Sequence, residues 1–304
     1  MLEEVKALAT WVLIGDEHIF RQGQSVAGQV FSYRKIEDIE QVDDENEVYL
    51  IDLHTLNPEQ YKLGTLSVDC EKACGEVLEY ALKLAKKQRL NGVVYAPLNK
   101  EALYRGGYHF KDEIHFFASL LDCTEGFSEI NVMGDLWVTR VTSHVPLKEV
   151  ASLITKERVG RTIRFAHDIL SKAGIQQPSI AVAAFNPHAG DGGLMGMEEI
   201  QAISPAIKDA LEMGIRVEGP YPADTIYLRL NTKPFDCLVG MYHDQAQTGM
   251  KLLGFNRGVT ISGGLPVVVT TPAHGTAFDI SGQGAANPVA MINAMKVAIK
   301  LAGF

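Results

Sequence analysis
Three histidines stand where imidazole could meet a ligand. They are His144 in Thr142-Ser143-His144-Val145-Pro146, His188 in Asn186-Pro187-His188-Ala189-Gly190, and His243 in Met241-Tyr242-His243-Asp244-Gln245. Each follows an apolar, β-rich run and precedes a stretch of helical character. In an open α/β sheet, ligands bind outside the carboxyl ends of the strands. Neutral imidazole suits divalent transition ions, so three such loops could build a metal site with room for a substrate. The spacing is that of neither a zinc finger nor a His-Glu-x-x-His helix, and the signal lies in the shared context.

The residues around them extend the chemistry. Asn186–Gly193 is a Gly-rich turn that lets a ligand approach the backbone, and the helix start after it would favour an anion. Asp244 could cap a helix, orient a metal-bound imidazole, or be a ligand itself. Lys251 lies about two helical turns on, on the face of Asp244; it could bind an oxyanion, relay a proton, or be a solvated surface lysine. Two prolines in Gly219-Pro220-Tyr221-Pro222-Ala223-Asp224-Thr225 rigidify a strand-to-helix loop, with Asp224 as a cap or a proton-transfer group. The run Pro272–Pro288 is rich in small residues and opens a helix with Asn287-Pro288. Such a loop can wrap an adenosine, with His274 facing the ring and Asp279 accepting from ribose hydroxyls. A carboxylate there repels a 2′-phosphate and favours NAD over NADP. No Gly-x-Gly-x-x-Gly follows the first strands, which argues against an ordinary dinucleotide fingerprint.

Positioning these loops requires strands that alternate with helices, and the hydrophobic pattern supplies them. Trp11–Ile14, Val48–Ile51, Gly92–Pro97, Ser179–Phe185 and Cys237–Met241 read as strands, and a short strand ends at Val217. Helical spacing covers Glu71–Lys87, Pro146–Leu170, Glu198–Met213 and Pro288–Leu301. Ile130–Val132 and Leu136–Val141, split by Gly134-Asp135, form a hairpin that marks a second domain. The predicted division is 1–125 with 245–304, carrying the cofactor loop, and 126–244 between them.

At 304 residues two domains are expected, and 46% hydrophobic with 21% charged residues is a globular balance. The net charge of −9 argues against nucleic-acid or anionic-membrane partners. Cys70, Cys74, Cys123 and Cys237 show no disulfide ladder, the first residues form no secretory signal, and no apolar run approaches the roughly 20 residues of a membrane span. A cytoplasmic setting is expected.

Taken together, these motifs resemble the 4-hydroxythreonine-4-phosphate dehydrogenase family from about residue 90 to the end. The segments Asn186–Glu199, Gly219–Thr225, Tyr242–Gln245 with Lys251, and His274–Gly284 match it in order. The resemblance implies an isocitrate/isopropylmalate dehydrogenase-like α/β fold, two α/β/α domains around a cleft. It implies a homodimer with the active site at the subunit interface, and a divalent metal (Zn, Mg, Mn or Co) on His144, His188 and His243, partly from opposite subunits. NAD would be the oxidant, held by His274, Gly275, Ala277, Asp279 and Asn287, with Lys251, Asp224 and Asp244 as catalytic groups. The implied reaction, akin to a step of pyridoxine biosynthesis, oxidises the secondary alcohol of a hydroxyacid (4-hydroxythreonine-4-phosphate, or a 4-phosphothreonate or erythronate analogue) and decarboxylates the β-keto acid.

The chain departs from the family pattern where substrate is contacted. Family members usually carry Gly-His-Thr-Glu before Phe-Phe-Ala; here Asp112-Glu113-Ile114-His115 stands there, and Thr260 and Val269 replace an Asn and an Arg. Replacing a bidentate cation by an apolar side chain removes a phosphate clamp. Relatives that oxidise aromatic cis-dihydrodiol carboxylates carry similar apolar replacements. The family's opening Gly-Asp-Pro-x-Gly-Ile-Gly-Pro-Glu turn is not in the sequence given; either the start is misassigned or truncated, or this branch has lost an edge element, which would expose sheet edge. Two rivals follow: a hydrolase using the same histidines to activate water, and a non-catalytic ligand-binding descendant.

Overall fold
The computed structural model describes residues 5–44 and 47–303. They fall into two compact units, one comprising the residues up to Phe127 with Leu265–Ala302, the other Ser128–Gly264.

The first unit opens with β1 (Trp11–Gly15), α1 (Glu17–Ala27), β2 (Arg34–Ile36) and β3 (Val48–Asp52). The three strands form a parallel sheet in the order β1-β3-β2, with Tyr49 and Ile51 fully inside. Next come α2 (Val68–Lys86), β4 (Gly92–Val94), α3 (Lys100–Arg105) and α4 (Glu113–Leu120). Helix α2 starts three residues before the predicted Glu71. The Ser67 side chain accepts the Cys70 N–H, and Asp69 and Glu71 complement the helix dipole in the first turn. Its apolar face, Leu78, Ala81, Leu82 and Ala85, packs with Phe116 and Phe117 of α4.

The second unit begins with β5 (Ser128–Met133) and β6 (Leu136–Arg140), the predicted hairpin around Gly134-Asp135. Then α5 (Leu147–Leu153) and α6 (Lys156–Lys172) replace the single helix read over Pro146–Leu170. The break has a local cause: Ile154 leaves helical geometry, and Thr155 caps a fresh helix by accepting the Arg158 N–H. After β7 (Ile180–Ala183), a π-helical turn at Glu199–Ile203 leads into α7 (Ser204–Glu212). Strand β8 (Val217–Tyr221) runs through Pro220, which the sequence placed in a loop. It lies at the end of the strand order, where a missing N–H is tolerated. Strand β9 (Cys237–Gly240), α8 (His243–Gly254) and β10 (Val259–Gly263) complete the unit. Its strand order is β10-β5-β6-β9-β7-β8, antiparallel from β10 to β6 and parallel from β6 to β8.

The chain then returns to the first unit with β11 (Val268–Pro272), which pairs in parallel with β4, and α9 (Val289–Ala302). The second crossing therefore lies at Gly264/Leu265 rather than at residue 245. Helix α8 packs on β6 and β9, and β10 pairs with β5, so both belong to the second unit. Among the described residues no helix is long and apolar enough to cross a membrane. Removing the Thr155 hydroxyl should leave the first turn of α6 uncapped. Thr155→Ala is expected to lower stability by about 1 kcal/mol in urea unfolding, with an unchanged m-value.

Candidate functional site
Strands β6, β9 and β7 are successive parallel neighbours, so the loops bearing His144, His243 and His188 all leave one edge of the second unit's sheet. Two of these loops are tied together. The ladder between β6 and β9 continues past both strands through Val141 N–H to the Gly240 carbonyl (2.9 Å) and Thr142 N–H to the Met241 carbonyl (3.1 Å). The Thr142 hydroxyl donates to the same carbonyl at 2.8 Å. As a result the His144 and His243 rings stand 5.8 Å apart between centroids.

His243 is the first residue of α8, and its Nδ1 lies 2.7 Å from Asp244 Oδ1. With Nδ1–H donated to that carboxylate, the lone pair of Nε2 is left for another partner. Of the three roles open to Asp244, the geometry favours orienting the imidazole. Lys251 is exposed in the same helix, and Asp224 is exposed just ahead of the short helical turn Ile226–Asn231, whose cap position is Thr225.

His188 is placed differently. Residues 188–192 all have left-handed backbone angles, and three of them, His188, Ala189 and Asp191, carry side chains. Each costs of order 1 kcal/mol, so the turn persists only if its surroundings enforce it. Glu199, 3% exposed, anchors the entry to the turn. Its Oε1 accepts the N–H groups of Phe185 (2.8 Å) and Asn186 (2.7 Å), and Oε2 accepts from Asn186 Nδ2 (2.9 Å). A side chain at Gly190 would place Cβ 2.7 Å from that Oε2, and one at Gly196 would meet the Asn186 amide at 2.5 Å. Burial works to raise the pKa of Glu199, but the hydrogen bonds from Asn186 and the backbone outweigh it and hold the carboxyl below its ordinary value. In the sequence Glu199 reads as a helix-start residue; its signal is a carboxylate six residues past the Gly-rich run that ends at Gly193.

The turn presents His188 at the surface, and among the described residues no three His, Cys, Asp or Glu side chains stand close enough to hold a metal within one chain. Within one chain the rings seen to meet are those of His144 and His243, whereas the resemblance implies three imidazoles drawn partly from opposite subunits.

In the first unit, the loop after β11 places His274 Nδ1 2.9 Å from the Gly275 carbonyl oxygen. Ala277 takes a left-handed conformation and begins a short helical turn, and Asp279 is exposed. Nothing lies within 4 Å of a Cβ built at Gly275, so that stretch of backbone is open to a ligand. Asn287 accepts the Val289 N–H at 2.9 Å and so caps α9. The substrate candidates separate by burial. Ile114, 5% exposed, and Val269, fully buried, belong to the apolar core of the first unit, where they serve packing. Glu113 lies 3.3 Å from Lys100 Nζ, and Thr260 Oγ1 accepts from Asn131 Nδ2 at 2.9 Å.

With this arrangement in view, comparison with known proteins is decisive. The family model "Pyridoxal phosphate biosynthetic protein PdxA" matches residues 7–298. The chain belongs to this family. A relative from Pseudomonas aeruginosa, "Putative 4-hydroxythreonine-4-phosphate dehydrogenase 2", is 44% identical over 98% of this chain and 89% of its own length. A "Putative D-threonate 4-phosphate dehydrogenase" from Oceanobacillus iheyensis is 40% identical over 96% of this chain and 88% of its own. The crystal structure of 4-hydroxythreonine-4-phosphate dehydrogenase from Klebsiella pneumoniae superposes with a TM-score of 0.82 at 31% identity, covering 96% of this chain and 88% of that one. The α/β fold is accordingly the one expected, shared with 4-hydroxythreonine-4-phosphate dehydrogenase and, at a TM-score of 0.51 and 16% identity over 94% of this chain and 81% of that one, with a beta-decarboxylating dehydrogenase from Thermococcus kodakarensis, and the oxidoreductase reading holds for this PdxA-family chain.

Glu199 gives a test that needs no substrate. Its depressed pKa means that its contribution is present above the unfolded-state value and is lost as pH falls through the folded-state value. Glu199→Gln should cost about 1–3 kcal/mol at neutral pH. The gap to wild type should narrow as pH falls below the ordinary glutamate range when chemical unfolding is followed against pH.

Proposed function
We propose that this PdxA-family chain is a divalent-metal- and NAD-dependent dehydrogenase. It oxidises the secondary alcohol of a phosphorylated hydroxyacid, of the 4-hydroxythreonine-4-phosphate or threonate/erythronate 4-phosphate type, and decarboxylates the product. The observation that carries this reading is the His144–His243 pair at neighbouring strand ends, with Asp244 on His243 Nδ1. Two imidazoles and an orienting carboxylate fit a borderline transition ion. When bound, the cation supplies Lewis acidity that favours ionisation of the substrate hydroxyl and stabilises the enolate left by decarboxylation.

The remaining roles fall to side chains of this chain. Asp244 fixes the tautomer of His243. Lys251, two turns along α8, meets a substrate oxyanion or returns a proton, and Asp224 is a second proton-transfer candidate. Asp279 accepts from ribose hydroxyls while Gly275 leaves room for the nucleotide, and His274, Ala277 and Asn287 complete that loop. Thr260 and Glu113 are the specificity positions with polar side chains still directed to partners.

His188 enters as a ligand contributed across a subunit interface. Support comes from the apolar side chains that follow it: Leu194 is 77% exposed, and Met195, Met197 and Ile200 are exposed as well. Such a concentration beside a polar loop is what a homodimer contact would cover. Because Ile114 and Val269 are interior, neither puts a cation at the clamp positions, and the cis-dihydrodiol carboxylates stand as a second substrate class that a substrate panel separates.

The test is metal-dependent NADH formation on a panel of phosphorylated hydroxyacids and dihydrodiol carboxylates. His144→Ala and His243→Ala are each expected to lower kcat/KM by on the order of 100-fold or more. Wild-type turnover in either variant would refute the metal assignment. In calorimetric titration, Asp279→Ala should weaken NAD binding and narrow its preference over NADP; no NAD affinity in the wild type would favour the hydrolase.

A further inference from the structure
We infer that Arg140 is a positioning residue for the histidine pair, acting through Ser143 on the His144 loop and through Asn131 and Gln247 on the helix that begins with His243. This rests on the reading that His144 and His243 hold a divalent cation.

Arg140 is the last residue of β6 and shares a face with Leu136 and Val138. Those two pack in an apolar cluster with Ala246 and Met250 of α8. A third apolar residue would continue the row, yet an arginine 4% exposed stands there. Taking a guanidinium out of water is expensive unless every donor finds a partner. Here Nε donates to Ser143 Oγ at 2.7 Å, Nη1 to Asn131 Oδ1 at 2.8 Å, and Nη2 to the Glu129 carboxylate. Asn131 Oδ1 also accepts from Gln247 Nε2 at 2.6 Å, while its Nδ2 donates to Thr260.

The planar fork makes this a rigid jig rather than a loose ion pair. One arm holds the residue immediately before His144, whose φ of +44° is unusual for a side chain and must be enforced. Another reaches, through Asn131, the residue one turn after His243. Fold stability alone does not call for this arrangement, since a buried ion pair can often be exchanged for apolar side chains without loss. What an apolar exchange would remove is the fixed relation between the two histidine-bearing segments. A lone arginine closing an apolar strand was the sequence signal.

Cobalt(II) titration of the apoprotein, read by calorimetry and by visible ligand-field absorption, tests the inference without turnover. Ser143→Ala removes one hydrogen bond outside the core; Arg140→Lys keeps charge but loses the fork. Both should weaken Co2+ binding by about 10–100-fold and alter the absorption band. Ser143→Thr, which keeps the hydroxyl, should restore both. The double variant Arg140→Met/Glu129→Met should keep wild-type thermal stability and still bind Co2+ more weakly. Wild-type affinity and spectrum in Ser143→Ala and in the double variant would overturn the inference and leave the metal reading intact. If the double variant fails to fold, Ser143→Ala against Ser143→Thr decides alone. If wild type binds no Co2+, or His243→Ala binds it equally well, the metal reading itself falls and takes the inference with it.

Discussion
The candidate site depends on one backbone constraint: the β6–β9 ladder does not stop where the strands do. By running on through Val141, Gly240, Thr142 and Met241, it delivers two loops from opposite ends of the second unit's sequence to adjacent points on one sheet edge. Parallel pairing makes this possible, because neighbouring parallel strands end on the same side. Each loop is then short enough that its histidine cannot wander. His144 is two residues past the last ladder bond and His243 opens a helix, so both rings inherit their position from the sheet rather than from one another.

Beyond that edge the second unit spends polar burial on geometry. Glu199 and Arg140 sit near the carboxyl ends of two different strands, both inside and both with their polar atoms engaged. A buried charge held in this way dictates direction, because the alternative of leaving it unpaired is so costly. Glu199 anchors the entry to a turn of five left-handed residues, and Arg140 spans a strand, a loop and a helix. The corresponding places in the first unit are apolar: Ile114 and Val269 are absorbed into the packing of α2, α4 and β11. Positions at which the resemblance implied a polar clamp are here part of the core.

Much of this was legible in the order of residues. Period-two and period-3.6 hydrophobic patterns placed most strands and helices to within a few residues, and the Gly134-Asp135 turn marked the hairpin that opens the second unit. The three histidine loops and the small-residue loop after Pro272 were found from their position behind apolar runs. The misses share a character. Strands β10 and β11 carry the β-branched runs Val259-Thr260-Ile261 and Val267–Thr271, but their partners lie far away in sequence and are not legible from the runs themselves. The helix over Pro146–Leu170 broke at a cap that the apolar periodicity concealed. Arg140 was passed over because, read singly, an arginine at a strand end is a solvated residue.

By itself, then, the sequence determined which segments are helical or extended, which side chains have the chemistry to bind metal and nucleotide, and the family to which the chain belongs. These are local properties, written in side-chain type and spacing. Only the tertiary structure decided that the unit boundary falls after β10, that His144 and His243 meet, and that Ile114 and Val269 are interior. Strand order and register join residues on the order of a hundred positions apart, and no periodicity along the chain encodes which distant strand a given one will pair with.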